Sequence, residues 1–247
     1  MRTKVILVAA LLALGACGDT PLVPTTGSSP EARECKVGGG NATIDYVDFV
    51  MLEGTTYINN YPEKNLLTEE DLGEPIGEVL CRLSDNVTDP GYDSQNGDAG
   101  FLEPGTVVYE VIGYDPSFRV AASGGLNSDG YTLYEADTVP DAEIGRDLLD
   151  IEGKVRYIGI NSHRDGTTEI ARIDDPAEVE RLVKMVLSAP VDQDNDIPGY
   201  KGEVIVEFHL EDGTSVLRNF FPSGPELTRG IEVPQEFATA IQAALEE

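Results

Sequence analysis

Tryptophan is absent from this chain, so ten tyrosines and seven phenylalanines must supply all of its aromatic packing. The absence also counts against a sugar cleft, where aromatic rings commonly stack on the substrate. Basic residues are scarce. Seventeen Lys and Arg stand against 45 Asp and Glu, for a formal net charge of −28. A field of that sign repels phosphate backbones and anionic headgroups, which excludes nucleic acid as a partner and excludes electrostatic membrane binding. It attracts cations and basic proteins, and it also serves plain solubility. Histidine occurs only twice. His163 adjoins an Asp165-Gly166 turn and His209 falls on the outward side of an alternating strand, so both read as surface side chains. No Gly-x-Ser-x-Gly elbow and no His-Glu-x-x-His pair is present. Carboxylate pairs could serve glycoside hydrolysis, but 45 acids place some pair at any chosen separation. No catalytic residue is assigned, and the chain reads as a non-enzyme.

What is present starts at the N-terminus. Arg2 and Lys4 form a short positive head, and Val5 to Leu14 form an apolar run too short to span a bilayer as a helix. Leu14-Gly15-Ala16-Cys17 then places small residues just before a cysteine. This is the layout of a secretory signal, and its ending resembles the lipobox of bacterial lipoprotein precursors, with Gly15 where alanine or serine is more usual. The resemblance implies cleavage after Ala16 and a diacylglyceryl thioether on Cys17. The product would be lipid-anchored on a cell membrane and would face its extracytoplasmic side. Two or three acyl chains hold a protein there stably, where one does not. In general layout the rest of the chain resembles uncharacterised bacterial surface lipoproteins, a likeness that carries no functional residues.

With Cys17 lipidated, Cys35 and Cys81 remain. An even pair in an exported protein reads as a disulfide, with two free thiols as the alternative. The bridge would close a loop of about 46 residues, worth roughly 4 kcal/mol in the chain-entropy model.

Residues 17–33 are rich in Pro, Gly, Ser and Thr and read as a flexible tether. From 34 to 137 the pattern is short strands and turns: Ile44 to Met51, Thr55 to Ile58, Glu78 to Leu83, Thr106 to Ile112, Phe118 to Ala122 and Tyr131 to Tyr134. These predict a small antiparallel β-barrel or sandwich domain. Residues 138–149 read as a linker. From 150 to 247 the grammar changes. Lys154 to Ile160 and Glu169 to Ile173 flank an Asp-Gly turn. Asp175-Pro176-Ala177-Glu178 then opens a helix with an N-cap, a proline at N1 and a glutamate at N3. Glu203 to Leu210, Asp212-Gly213, Ser215 to Phe221 and a helix opened by Pro234-Gln235-Glu236 repeat the order after a longer connection at 222–233. The fold class is therefore α+β. A β-rich domain precedes a two-layer domain of two ββα units, with a four-stranded antiparallel sheet and two helices.

Two constellations invite a ligand. Asp192, Asp194 and Asp196, with Glu203 eleven residues after the first, offer oxygens at the alternating spacing that suits calcium. Ile197-Pro198 stands where an EF-hand needs glycine, and a strand follows where it needs a helix. A plain acidic loop is the competing reading. Tyr114, Phe118 and Arg119 crowd a turn between strands. Exposed, they would make an interaction surface; buried, they would be aromatic core with a salt-bridged arginine.

The function expected is a lipid-anchored, non-catalytic module that binds a protein or ligand outside the membrane. A calcium-dependent envelope protein and a carboxylate-dependent extracytoplasmic hydrolase are the alternatives.

Overall fold

Short apolar-polar alternations punctuated by Gly, Asn and Asp make strands rather than helices in the front half. In the computed structural model, residues 35–38, 44–59, 66–124, 130–137, 139, 141–192 and 204–246 are described. Cys17, the tether at 17–33, and Asp194, Asp196 and Glu203 lie outside the described residues. The front strands are β1 (Phe49–Leu52), β2 (Thr55–Ile58), β3 (Leu66–Leu67), β4 (Leu72–Glu78), β5 (Cys81–Arg82), β6 (Asp98–Ala99), β7 (Val107–Val111), β8 (Arg119–Ser123) and β9 (Tyr131–Ala136). They form one sheet in the order β4-β7-β8-β9-β2-β1-β6-β5, with β3 also paired to β9. Every pairing is antiparallel except β5 with β6. Glu53 and Gly54 both take positive φ in the β1–β2 turn, the geometry a tight two-residue hairpin needs.

The sheet curls, because the two strands at the ends of its order, β4 and β5, are separated in the chain only by Val79 and Leu80. One face closes over Val50, Leu52, Val79, Leu102, Val108, Val120 and Tyr134. The expected strand Glu78 to Leu83 is broken at this corner. Leu80 and Cys81 both donate their amides to the carbonyl of Gly97, and Leu83 already begins the one-turn helix α1 (Leu83–Asn86). Val79, Cys81 and Leu83 are nonetheless all buried. Strand β4 was unexpected from its Gly- and Pro-containing sequence, LGEPIGE. It lies at the end of the strand order, where proline's missing amide proton costs no ladder bond, and the register shifts on both sides of Pro75.

In the back half, α2 (Gly145–Leu148) leads into β10 (Val155–Ser162), β11 (Glu169–Ile173), α3 (Pro176–Ser188), β12 (Val204–Leu210), β13 (Ser215–Phe221), β14 (Glu226–Leu227), β15 (Ile231–Glu232) and α4 (Gln235–Leu245). The second sheet runs β11-β10-β12-β13-β14-β15 and is antiparallel throughout. It has six strands rather than the expected four, because the long connection folds into the short hairpin β14–β15 and extends the sheet. Asp175 caps α3 by accepting the Glu178 amide at 2.9 Å, with Pro176 in the first turn. The helix ends two residues before Pro190. Its stripe Val179, Leu182, Val183, Val186 and Leu187 joins Phe237 and Ile241 of α4 and Val204, Val206, Phe208 and Leu210 of β12 in one core. Leu245, at the end of α4, is exposed. Ala142, Leu148 and Leu149, from or beside the stretch read as a linker, also enter this core.

Both sheets belong to the unit Ala32–Glu247. The chain is mixed α+β, rich in strands and poor in helix.

Candidate functional site

The β7–β8 turn of the front sheet and the β12–β13 turn of the back sheet meet. In the second turn Leu210 donates its amide to the Thr214 carbonyl across Glu211-Asp212-Gly213, with Gly213 at φ 89°. Its Asp212 accepts the Tyr114 hydroxyl at 2.6 Å. Lys154 lies 4.3 Å from the Tyr114 ring centre and donates to the Gly113 carbonyl at 2.8 Å.

This contact decides between the two readings of Tyr114, Phe118 and Arg119. Phe118 is 4 % exposed, Arg119 is fully buried and Tyr114 is half-buried, so they do not form an open interaction surface. The reason is placement. Arg119 opens β8 directly opposite Glu135 of β9, and its side chain crosses toward the back sheet. Its guanidinium carbon lies 4.4 Å from the Tyr114 ring centre and 4.5 Å from that of Phe118. Nη1 donates to Thr214 Oγ1 at 3.0 Å and Nη2 to Glu135 Oε1 at 3.1 Å. Burial pulls the Arg119 pKa down against the opposing pull of Glu135. Burial, reinforced by the bond to Asp212, pushes the Tyr114 hydroxyl up.

Glu135 carries a second arginine. Arg218 of β13 donates from Nη1 to Glu135 Oε2 at 3.0 Å and to the carbonyl of Leu217 at 2.7 Å. Arg218 shares a face of β13 with Val216 and Phe220, both in the core, so it is a charged side chain at an inward position. A third arginine, Arg229, sits at positive φ between β14 and β15 and donates from Nη1 to the carbonyl of Ala136. Its Nη2 stands 3.8 Å from Asp137. Burial and the neighbouring Arg218 lower the Arg229 pKa to about 10. Burial alone would raise the Glu135 pKa, but Arg218, Arg119 and Arg229 together hold it below its ordinary value. Four guanidinium nitrogens of this group are buried with no hydrogen-bond partner: Nε of Arg119, Nε and Nη2 of Arg218, and Nη2 of Arg229. Reasoning from the sequence picked out Arg119 alone. The signal for Arg218 was present in its alternation with Val216 and Phe220.

The other face of the back sheet carries His209. It is not a simple surface side chain, because its ring stacks on Tyr157 with centres 4.0 Å apart. Its Nε2 lies 3.6 Å from Glu207 and 3.8 Å from Glu169. Asn161 donates to Glu207 at 2.5 Å. Gly159 makes room for this group, since a Cβ there would come within 2.8 Å of Glu169 Oε2 and 3.1 Å of His209 Nε2. His163 is exposed.

Cys35 and Cys81 form a disulfide, with Cα atoms 5.7 Å apart. Of the acidic loop only Asp192 is described. Its amide donates to the Gly230 carbonyl at 2.9 Å, next to Arg229. Among the described residues no group of three or more His, Cys, Asp or Glu is arranged to hold a metal ion, and no helix is long and apolar enough to cross a membrane. No protein-family model matches this chain, and comparison with curated proteins and with solved structures finds no match.

Proposed function

We propose that this chain is an exported, lipid-anchored binding module held at the extracytoplasmic surface of a membrane. The observation that carries the reading is the Cys35–Cys81 disulfide, since such bonds form and persist in oxidising compartments. Its position suits an anchored protein. Cys35 opens the described fold and Cys81 is buried in β5. A pull transmitted along a tether from Cys17 would thus reach the sheet through a covalent tie rather than by peeling off the first residues. In this reading Cys17 carries the lipid, 17–33 is the tether, and the remainder comprises a β-rich part at 34–137 and an α+β part at 150–247. The latter is taken as two ββα units: the order β10-β11-α3 supports the first, and in the second the β14–β15 hairpin stands between β12-β13 and α4. The binding half of the proposal rests on the large excess of acid, a field that attracts cations and basic proteins.

The test is Cys17→Ser, followed by membrane fractionation and intact mass. The variant is expected in the soluble extracytoplasmic fraction, without the diacylglyceryl mass. A variant that stays membrane-bound and is processed as before overturns the anchor.

A further inference from the structure

We propose that the cleft where the two sheets meet is a socket for one lysine side chain of a basic partner protein, an inference that deepens the binding reading above and rests on it. The cleft has a volume of about 190 Å³. A cavity of about 150 Å³ already admits benzene, so a single extended side chain has room here. Leu67 of β3, with Val111 and Ile112 from the end of β7 and its turn, gives an aliphatic wall. Glu70 and Asp71, from the single helical turn Glu69–Asp71, give two carboxylates, and Asp212 of the β12–β13 turn gives a third. A lysine lays its four-carbon stem along apolar surface and keeps its ammonium at a polar rim. Ile112 is 60 % exposed, and among the described residues no large apolar side chain is more so. The stem would cover it.

The charge of the cleft is not neutralised among the described residues, where no Lys or Arg pairs with Glu70, Asp71 or Asp212. The two cations beside Tyr114 are committed elsewhere, Arg119 to Glu135 and Lys154 to Asp150. Burial would raise the Asp212 pKa, but bonds from Tyr114 and Thr214 hold it below its ordinary value.

Two of the carboxylates are also fixed in place. Asp71 Oδ2 accepts the Thr68 amide at 2.7 Å and its hydroxyl at 2.9 Å, and the Asp71 carbonyl accepts the Ile112 amide at 2.9 Å. Asp212 Oδ1 accepts the Thr214 amide and hydroxyl, both at 2.8 Å, while Oδ2 accepts Tyr114. Groups already ordered lose less entropy when a ligand docks. The same bonds select the ligand. An arginine fork needs two clear oxygens on one carboxylate, and Asp71 and Asp212 have theirs partly engaged. An ammonium is a compact charge with three separately aimed donors, so it can take one oxygen from each of several acids.

The experiment titrates the full chain in detergent, with its isoleucine methyls labelled for NMR, against the peptide acetyl-Gly-Gly-Lys-Gly-Gly-amide. The same peptide with norleucine for lysine keeps the stem and removes the charge. The lysine peptide is expected to shift the Ile112 signal saturably and to leave Ile170 of β11 in place, while the norleucine peptide moves neither. Glu70 makes no side-chain hydrogen bond among the described residues, so Glu70→Gln is a mild change. It is expected to weaken binding about threefold. Glu180→Gln on α3 changes the net charge equally and is expected to leave binding as it is. Equal shifts at Ile112 and Ile170, equal weakening by the two variants, or equal binding of the norleucine peptide overturns the socket. Hexalysine separates this failure from that of the broader reading. If hexalysine binds while the lysine peptide leaves Ile112 unmoved, the socket falls and the attraction of basic proteins stands. If neither binds, both fall.

Discussion

The two sheets solve the same problem in different ways. The front sheet has no long helix to cover it, and it curls until Val50, Val120 and Tyr134 pack against one another. The back sheet stays open and covers its face with α3 and α4, whose Val186, Leu182 and Phe237 fill the core over β12. Curling works where strands are short and corners can be turned, as at Val79-Leu80. Helical cover works where strands run seven or eight residues, as β10, β12 and β13 do. The join between the two is mixed: Phe118 enters the core of the back sheet, and Arg119 and Arg218 share one carboxylate. Apolar burial is non-directional, whereas a two-armed arginine pair on Glu135 fixes the orientation of one sheet on the other.

That contrast can be broken most directly at Glu135. Glu135→Gln leaves three guanidiniums around a neutral amide and is expected to cost about 3–5 kcal/mol. Denaturant unfolding with separate probes on each sheet checks it. A loss well under 1 kcal/mol would show that the join does not depend on charge. The same residue predicts an acid dependence. Its folded pKa lies below the ordinary value, since the arginines outweigh the effect of burial. Its stabilisation is therefore complete above the unfolded-state carboxylate pKa and is lost as pH falls through the lower folded value. Wild type should lose stability over that acidic window more steeply than Glu135→Gln.

Phe237→Ala tests the helical solution. The ring is fully buried and packs edge-on to Phe220 at 5.8 Å, so about 3–5 kcal/mol is expected. Hydrogen exchange should quicken in β10, β12 and β13 more than in β8 and β9. Equal quickening in both sheets would mean that the seam couples them into one cooperative unit.

Cys35→Ser combined with Cys81→Ser tests the curled solution. The bridge spans 46 residues, and its loss is expected to cost about 2–4 kcal/mol, read as a lower midpoint with exchange rising first around β1, β5 and β6. The smallest effect belongs to a local signal. Asp175→Ala removes the α3 cap and is expected to cost about 1 kcal/mol, seen as fraying of the first turn of that helix.

Local chemistry was legible residue by residue. Strands β11 and β13 have the bounds that their alternation predicts, and α3 starts at the proline that follows its cap. The disulfide follows from cysteine parity in a chain read as exported. Strand β4 was not legible, because Gly73, Pro75 and Gly77 are tolerable only at an edge, and which strand forms an edge is a property of the whole sheet. The hairpin β14–β15 was hidden for a related reason, since two-residue strands carry no period.

The sequence by itself determined the short strands, the capped helix, the paired cysteines and the excess of acid. Only the tertiary structure decided that Arg119 is interior and that Glu135 holds both it and Arg218, which lies 83 positions further along the chain. The physical reason is range. Caps, turns and alternation are settled within a few residues by backbone geometry. The partner of a buried charge is settled by where a nine-stranded curl and a six-stranded sheet bring distant side chains together.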